Sequence, residues 1–177
     1  MKNLNKIKSE IIHTNPRFEV IKDTYKTDNG KTYPYYSFNE GNGFIVVLGI
    51  NDDMIMMVKQ FRIPIKQISY EFVGGYIEDG EVPEEAAKRE FLEETGYICD
   101  EVKKIGVIKA GVNKANAVGH VFIASGFTES EKNLDEFEEV IGLESSWVPL
   151  DKISYAIKSG YMVDTTTLAA WTLYREM

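Results

Sequence analysis

The stretch from Gly75 to Gly96 constrains this chain more than any other. Pro83 suits a first helical position, EEAAKREFLEET is rich in helix formers, and Gly96 stands where a glycine stop belongs. The spacing therefore predicts a helix over 83–95. Within it Glu90, Glu93 and Glu94 fall at i, i+3 and i+4, so three carboxylates project from one face. Residues 75–97 hold eight acids (Glu78, Asp79, Glu81, Glu84, Glu85, Glu90, Glu93, Glu94) against Lys88 and Arg89. Six of the chain's eight net negative charges thus lie in 23 residues. Crowded carboxylates repel one another, and a divalent cation offsets that cost. Carboxylate oxygens are the ligands that Mg²⁺ or Mn²⁺ prefers. Upstream, Gly74-Gly75 allows close backbone approach and offers a carbonyl oxygen. Arg89 lies one turn from Glu85 and Glu93 and can hold carboxylates through a forked pair. Two readings stand at this level. One is a metal–carboxylate site on a rigid helix, fit for polarising a phosphate and activating water. The other is a solvated helix face laced with salt bridges.

Before this helix the pattern is strand-like. FEVIKDTYKT and KTYPYYSF flank Asp28-Asn29-Gly30, a hairpin signal. Residues 1–15 read as a polar leader. FIVVLGI and MIMMVKQFR read as strands around an Asn51-Asp52-Asp53 turn, with the methionines as core filler. ISYEFVG reads as one short strand. After the helix, strands are expected around 102–109 and 120–124, then an acidic loop over 128–139 and a strand in SSWVPL. DKISYAIKSG and TTTLAAWTLYREM read as two helices split by Gly160. Mixed strands with a central helix and C-terminal helices suggest an α/β or α+β sandwich.

Composition excludes several classes. With 177 residues, 44% of them hydrophobic, the chain can bury a core, and 12% aromatics argue against disorder. A net charge of −8 argues against nucleic-acid binding, which needs a basic stripe. The longest apolar run, Phe44 to Ile50, is seven residues, far short of the ~20 that span a bilayer. MKNLNKIKSEII has no signal-peptide core, and one cysteine, Cys99, fits a reducing cytosol, so a cytoplasmic location is expected. His13 and His120 carry no catalytic signal.

GYIEDGEVPEEAAKREFLEETGY resembles the Nudix box, G-x5-E-x7-R-E-U-x-E-E-x-G-U, where U is bulky and apolar. Gly75, Glu81, Arg89, Glu90, Phe91, Glu93, Glu94 and Gly96 fall in register; Tyr97 fills the last apolar slot. The resemblance implies an α/β; Nudix α/β/α sandwich with a mixed sheet, plus an N-terminal β-hairpin extension. It implies that Glu90, Glu93 and Glu94 bind Mg²⁺ or Mn²⁺, with the Gly74 carbonyl as a further ligand. Arg89 and Glu81 would then orient these ligands. The chemistry implied is attack of water at phosphorus. A non-catalytic nucleotide-sensing module is the alternative, but such a chain is expected to have lost box carboxylates.

VKQFRIPI and SYEFVGG are similar to the ADP-ribose pyrophosphatase and nucleoside-diphosphate-sugar branch of that family. This implies that Arg62 meets the diphosphate and that Glu71 sits near substrate or a partner subunit. A late-loop glutamate would serve as base, and LDEFEEV offers Glu136, Glu138 and Glu139, with Glu138 or Glu139 preferred. The implied reaction is ADP-ribose to AMP and ribose 5-phosphate; a GDP- or UDP-sugar, NADH or a dinucleoside polyphosphate are alternatives. Two departures bear on the substrate: Val73 stands where the branch usually has proline, and Lys109-Ala110-Gly111 also lacks one. By the same resemblance, residues 1–40 form a leader and dimerisation hairpin and 41–177 the Nudix domain, giving a homodimer. Tyr33, Tyr35, Tyr36 and Phe38 are candidates either to stack on a nucleobase or to pack internally.

Overall fold

The structure, a computed structural model, describes residues 4–177. They form two compact units, residues 4–43 with 109–118, and residues 44–108 with 119–177.

The first unit is an antiparallel sheet of β1 (Leu4–Thr14), β2 (Glu19–Thr27) and β3 (Thr32–Asn39), in that order. Asn29-Gly30 makes the β2–β3 turn as its sequence predicts, with Gly30 at φ 84°, a backbone that favours glycine. The polar leader expected over 1–15 is, in its described part, an edge strand; residues 1–3 lie outside the described residues. Edge strand β1 is exposed nearly throughout, so no buried face imposes an apolar alternation on its sequence. Residues 109–118 join this unit through β3. The Phe38 N–H donates to the Lys114 carbonyl at 2.6 Å, and the Asn116 N–H to the Phe38 carbonyl at 3.3 Å.

The second unit is built on a mixed sheet of seven strands. Its members are β4 (Phe44–Asn51), β5 (Met54–Arg62), β6 (Gln67–Glu71), β7 (Val73–Tyr76), β8 (Tyr97–Ile108), β9 (Gly119–Glu129) and β10 (Glu144–Pro149). The order β10-β5-β4-β9-β8 is antiparallel except for the parallel pair β4–β9. The run ISYEFVG divides here into two strands: β6 pairs with β5, and β7 pairs with β4. The helices are α1 (Pro83–Thr95), α2 (Glu136–Val140), α3 (Ile153–Lys158) and α4 (Thr165–Arg175). The short helix α2 begins inside the stretch expected to be an acidic loop, 128–139, and ends one residue past it.

Both faces of β4 and β5 are covered, which explains their unbroken apolar sequence. Ile45, Val47, Met56 and Val58 pack with Ala86, Ala87 and Phe91 of α1. Val46, Leu48, Ile55 and Met57 pack on the other face with Ile153 of α3 and Ala170 and Trp171 of α4. Met56 and Met57 of β5 are core filler on opposite sides. The result is an α/β/α sandwich, as expected. Among the described residues, no helix is long and apolar enough to cross a membrane.

Candidate active site

Helix α1 seats itself by Phe91, which is fully buried and stacks on Phe127 at 5.3 Å between centroids. Its ring lies over Gly49, where a Cβ would come within 2.6 Å of it. Glu94, three residues on, shares that face and is carried inward, to 3% exposure. Glu90, one turn earlier, lies against Gly75: a Cβ there would fall 2.0 Å from the Glu90 carboxyl carbon. The glycine is thus required by the space its neighbour's carboxylate occupies.

Carboxylate oxygens of Glu90, Glu94 and Glu138 all lie within 4.8 Å of one another. Glu138 comes from α2, so the cluster joins the central helix to the late acidic segment. Burial holds the Glu94 carboxyl well above its ordinary range, and the charges of Glu90 and Glu138 push it further; a backbone hydrogen bond from Gly74 and the charge of Arg62 oppose this. Burial likewise raises Glu90, against the pull of Arg89, and raises Glu138. Glu94 Oε2 is buried and has no hydrogen-bond partner. A buried acceptor without a donor is costly, and three converging carboxylates repel one another unless a proton or a cation joins them. The donor set is all carboxylate oxygen, which fits a hard divalent ion such as Mg²⁺.

Arg89 organises the site from outside the cluster. Its Nε and Nη2 fork onto Glu81 at 2.9 Å each, and Nη1 reaches Glu90 Oε1 at 2.8 Å and Glu93 Oε2 at 3.1 Å. Nη2 also donates to the Tyr76 carbonyl at 3.0 Å. The Glu81 bond, above all, raises Arg89 above the usual guanidinium range, and Arg89 lowers Glu81 in return. One guanidinium therefore ties the loop after β7 to two consecutive turns of α1.

The other sequence candidates fall as follows. Glu93 is held by Arg89 and lies outside the three-carboxylate cluster, as does the exposed Glu139. Gly74 hydrogen-bonds Glu94 through its backbone. Arg62 forks onto Glu71, Nε to Oε1 at 2.8 Å and Nη2 to Oε2, and this pairing raises Arg62. Glu71 is buried and spends both oxygens on Arg62, while the arginine side chain stays about half exposed, at 46%. Phe38 packs edge-on against Phe18 at 5.4 Å, and Tyr33, Tyr35 and Tyr36 are exposed. His120 Nδ1 lies 2.7 Å from Lys104 Nζ, and Cys99 is buried among core residues.

Two features escaped sequence reasoning. Lys132 has its ammonium lowered by burial while Glu94, Glu138 and Glu144 pull it upward, so a cation is within electrostatic reach of the acids. Asp135 and Glu138 form a reciprocal capping box, for which Asp-x-x-Glu was a legible signal.

The acid-bearing helix α1 packs on one face of the mixed sheet, and Glu138 of α2 brings a further carboxylate to Glu90 and Glu94. The NUDIX domain family matches residues 41–169. The chain belongs to the Nudix family, and it is a Nudix pyrophosphohydrolase of the branch that resembles ADP-ribose pyrophosphatases. It is 30% identical over 166 residues to a methanol dehydrogenase activator of Bacillus methanolicus, covering 93% of this chain and 88% of the relative. It is 36% identical over 131 residues to an ADP-ribose pyrophosphatase of Bacillus subtilis, covering 72% and 69%. A crystal structure of an ADP compounds hydrolase shares the fold, with a TM-score of 0.87 at 19% identity, covering 99% of this chain and 94% of that one.

Proposed function

We propose that this chain hydrolyses the pyrophosphate of a nucleoside diphosphate linked to another group, with ADP-ribose, cleaved to AMP and ribose 5-phosphate, as the first choice of substrate. The observation that carries this reading is the meeting of Glu90, Glu94 and Glu138 within 4.8 Å beside a buried carboxylate oxygen that lacks a partner. Glu90 and Glu94 would hold Mg²⁺ or Mn²⁺, with Glu93 and the Gly74 carbonyl as further ligands and Glu138 facing them. When bound, the metal would supply charge neutralisation on the phosphate oxygens and an activated water. Arg89 keeps Glu90 and Glu93 oriented. Glu138 or Glu139 accepts the proton of the attacking water. Arg62 meets the diphosphate: with Nε and one Nη2 hydrogen committed to Glu71, its Nη1 edge is left for an anion.

A second substrate class is the dinucleotides, NADH among them. The test is incubation with Mg²⁺ and a panel of ADP-ribose, GDP-mannose, UDP-glucose, NADH and diadenosine polyphosphates, with product identification. Hydrolysis of ADP-ribose above the others, abolished by excess chelator, is expected. NADH turned over fastest would favour the second class, and full turnover in chelator would sink the metal mechanism.

We also propose that residues 1–40 form a dimerisation segment of a cytoplasmic homodimer, residues 41–177 being the hydrolase. Leu4, Ile7, Ile11 and Ile12 are exposed on edge strand β1, an arrangement that invites pairing with another chain. Light scattering at micromolar concentration should give the mass of a dimer; an active monomer would count decisively against the segment's role.

A further inference from the structure

Two of the three clustered carboxylates stand on α1, a helix with five buried residues; the third, Glu138, stands on α2, a five-residue helix with none. A helix that short does not hold itself, so other contacts must fix Glu138. The main chain around it is pinned at several points. The Ser130 N–H donates to the Gly96 carbonyl at 2.7 Å, the Asn133 N–H to the Glu93 carbonyl at 3.2 Å, and the Leu143 N–H to the Glu138 carbonyl at 3.0 Å. The Glu138 carboxylate is tied to the backbone of Asp135, and the Asp135 side chain in turn is tied to the backbone of Glu138 and so sets where that residue leaves the chain. Glu138 Oε2 accepts the Asp135 N–H at 2.8 Å, while Asp135 Oδ1 accepts the Glu138 N–H at 2.7 Å. Oε1 stays outside this reciprocal pair.

A capping box ordinarily stabilises a helix end and nothing more. Here its glutamate is also a member of the acid cluster, so the box sets the direction of a carboxylate that the site needs. We propose that Asp135 is a positioning residue for hydrolysis, aiming Glu138 at Glu90 and Glu94. This rests on the reading of the acid cluster as the reaction centre. Asp135 is exposed, so its replacement leaves the core untouched.

The test is a double-mutant cycle of D135A and E138A, with D135N and D135S as conservative replacements. kcat and KM are measured in Mg²⁺ with whichever panel member the unaltered chain hydrolyses fastest. D135A should lower kcat by about tenfold to a hundredfold, the cost of a misplaced group, with little change in KM. D135N and D135S, which keep a capping acceptor, should restore most of it. In the E138A background D135A should cost nothing further, because Asp135 acts only through Glu138. An unchanged kcat in D135A, an equal loss in the E138A background, or failure of both conservative replacements overturns the proposal alone. If the unaltered chain hydrolyses no panel member, the hydrolase reading falls, and this proposal with it.

Discussion

Glu94→Gln should lower turnover at saturating Mg²⁺ by at least about a hundredfold while leaving the metal-free protein as stable as before or more so. The Glu94 carboxylate is 3% exposed, with Oε2 unpartnered and two further acids within 4.8 Å. Glutamine keeps the shape and an acceptor for the Gly74 backbone but removes the charge that holds a cation. Each factor of ten requires only ~1.4 kcal/mol of lost transition-state stabilisation, so the loss of one metal ligand suffices. The stability effect follows from burial. A carboxyl raised in the folded state binds its proton more tightly there than in the unfolded chain. Stability of the metal-free protein is then fully present below the ordinary carboxylate range and declines as pH rises toward the raised value. The variant lacks that decline. Its melting temperature should exceed the parent's at neutral pH in chelator, with the gap closing as pH falls. A salt-bridge role predicts the reverse pairing, a small loss of stability, typically ~0.3–0.5 kcal/mol for a helical pair, with turnover kept. Near-normal turnover would refute Glu94 as a metal ligand.

What the sequence revealed, and what it hid, divides along physical lines. Helix α1 was legible to the residue because Pro83, a run of helix formers and Gly96 all act locally. The Asn29-Gly30 hairpin was legible for the same reason, since its turn requires the positive φ of Gly30. Strand β1 was hidden because an exposed edge strand carries no alternation, and LNKIKSEIIHT reads as a leader. The split of ISYEFVG at Phe72 was hidden because it depends on partners, β5 for one half and β4 for the other. So was the docking of residues 109–118 beside β3, where Phe38 bridges to Ala115 far along the chain. At the site, spacing put Glu90, Glu93 and Glu94 on one face but could not rank their burial. Phe91 does that, by anchoring the helix so that Glu94 turns inward and Glu93 toward Arg89. The resemblance offered Glu136, Glu138 and Glu139, with Glu138 or Glu139 preferred; the capping box separates Glu138, since only the third helical position reaches back to the cap. Arg62 was assigned to a diphosphate by resemblance alone, with no sign that Glu71, nine residues on, would take half of its fork.

Gly75→Ala should reduce turnover about as severely as Glu90→Gln, with a far smaller effect on the fold. A Cβ at Gly75 would lie 2.0 Å from both Cδ and Oε1 of Glu90 and 2.4 Å from Oε2. Those atoms are the far end of a flexible side chain, so the clash is relieved by moving the carboxylate rather than the backbone. Gly75 is not among the glycines with positive φ, so alanine adds no backbone strain. Overpacking at a rigid position costs ~1–3 kcal/mol; here the swing of one glutamate keeps the stability loss at the low end of that range. The same swing takes Glu90 out of reach of Glu94 and Glu138 and breaks its 2.8 Å bond to Arg89. A ligand displaced by about 1 Å loses roughly a hundredfold in rate. Combining Gly75→Ala with Glu90→Gln should therefore cost little more than either alone, as expected of residues acting through one contact. Multiplying losses in the double variant, or a Gly75→Ala protein that turns over normally, would show that the carboxylate of Glu90 is not needed where Gly75 makes room for it.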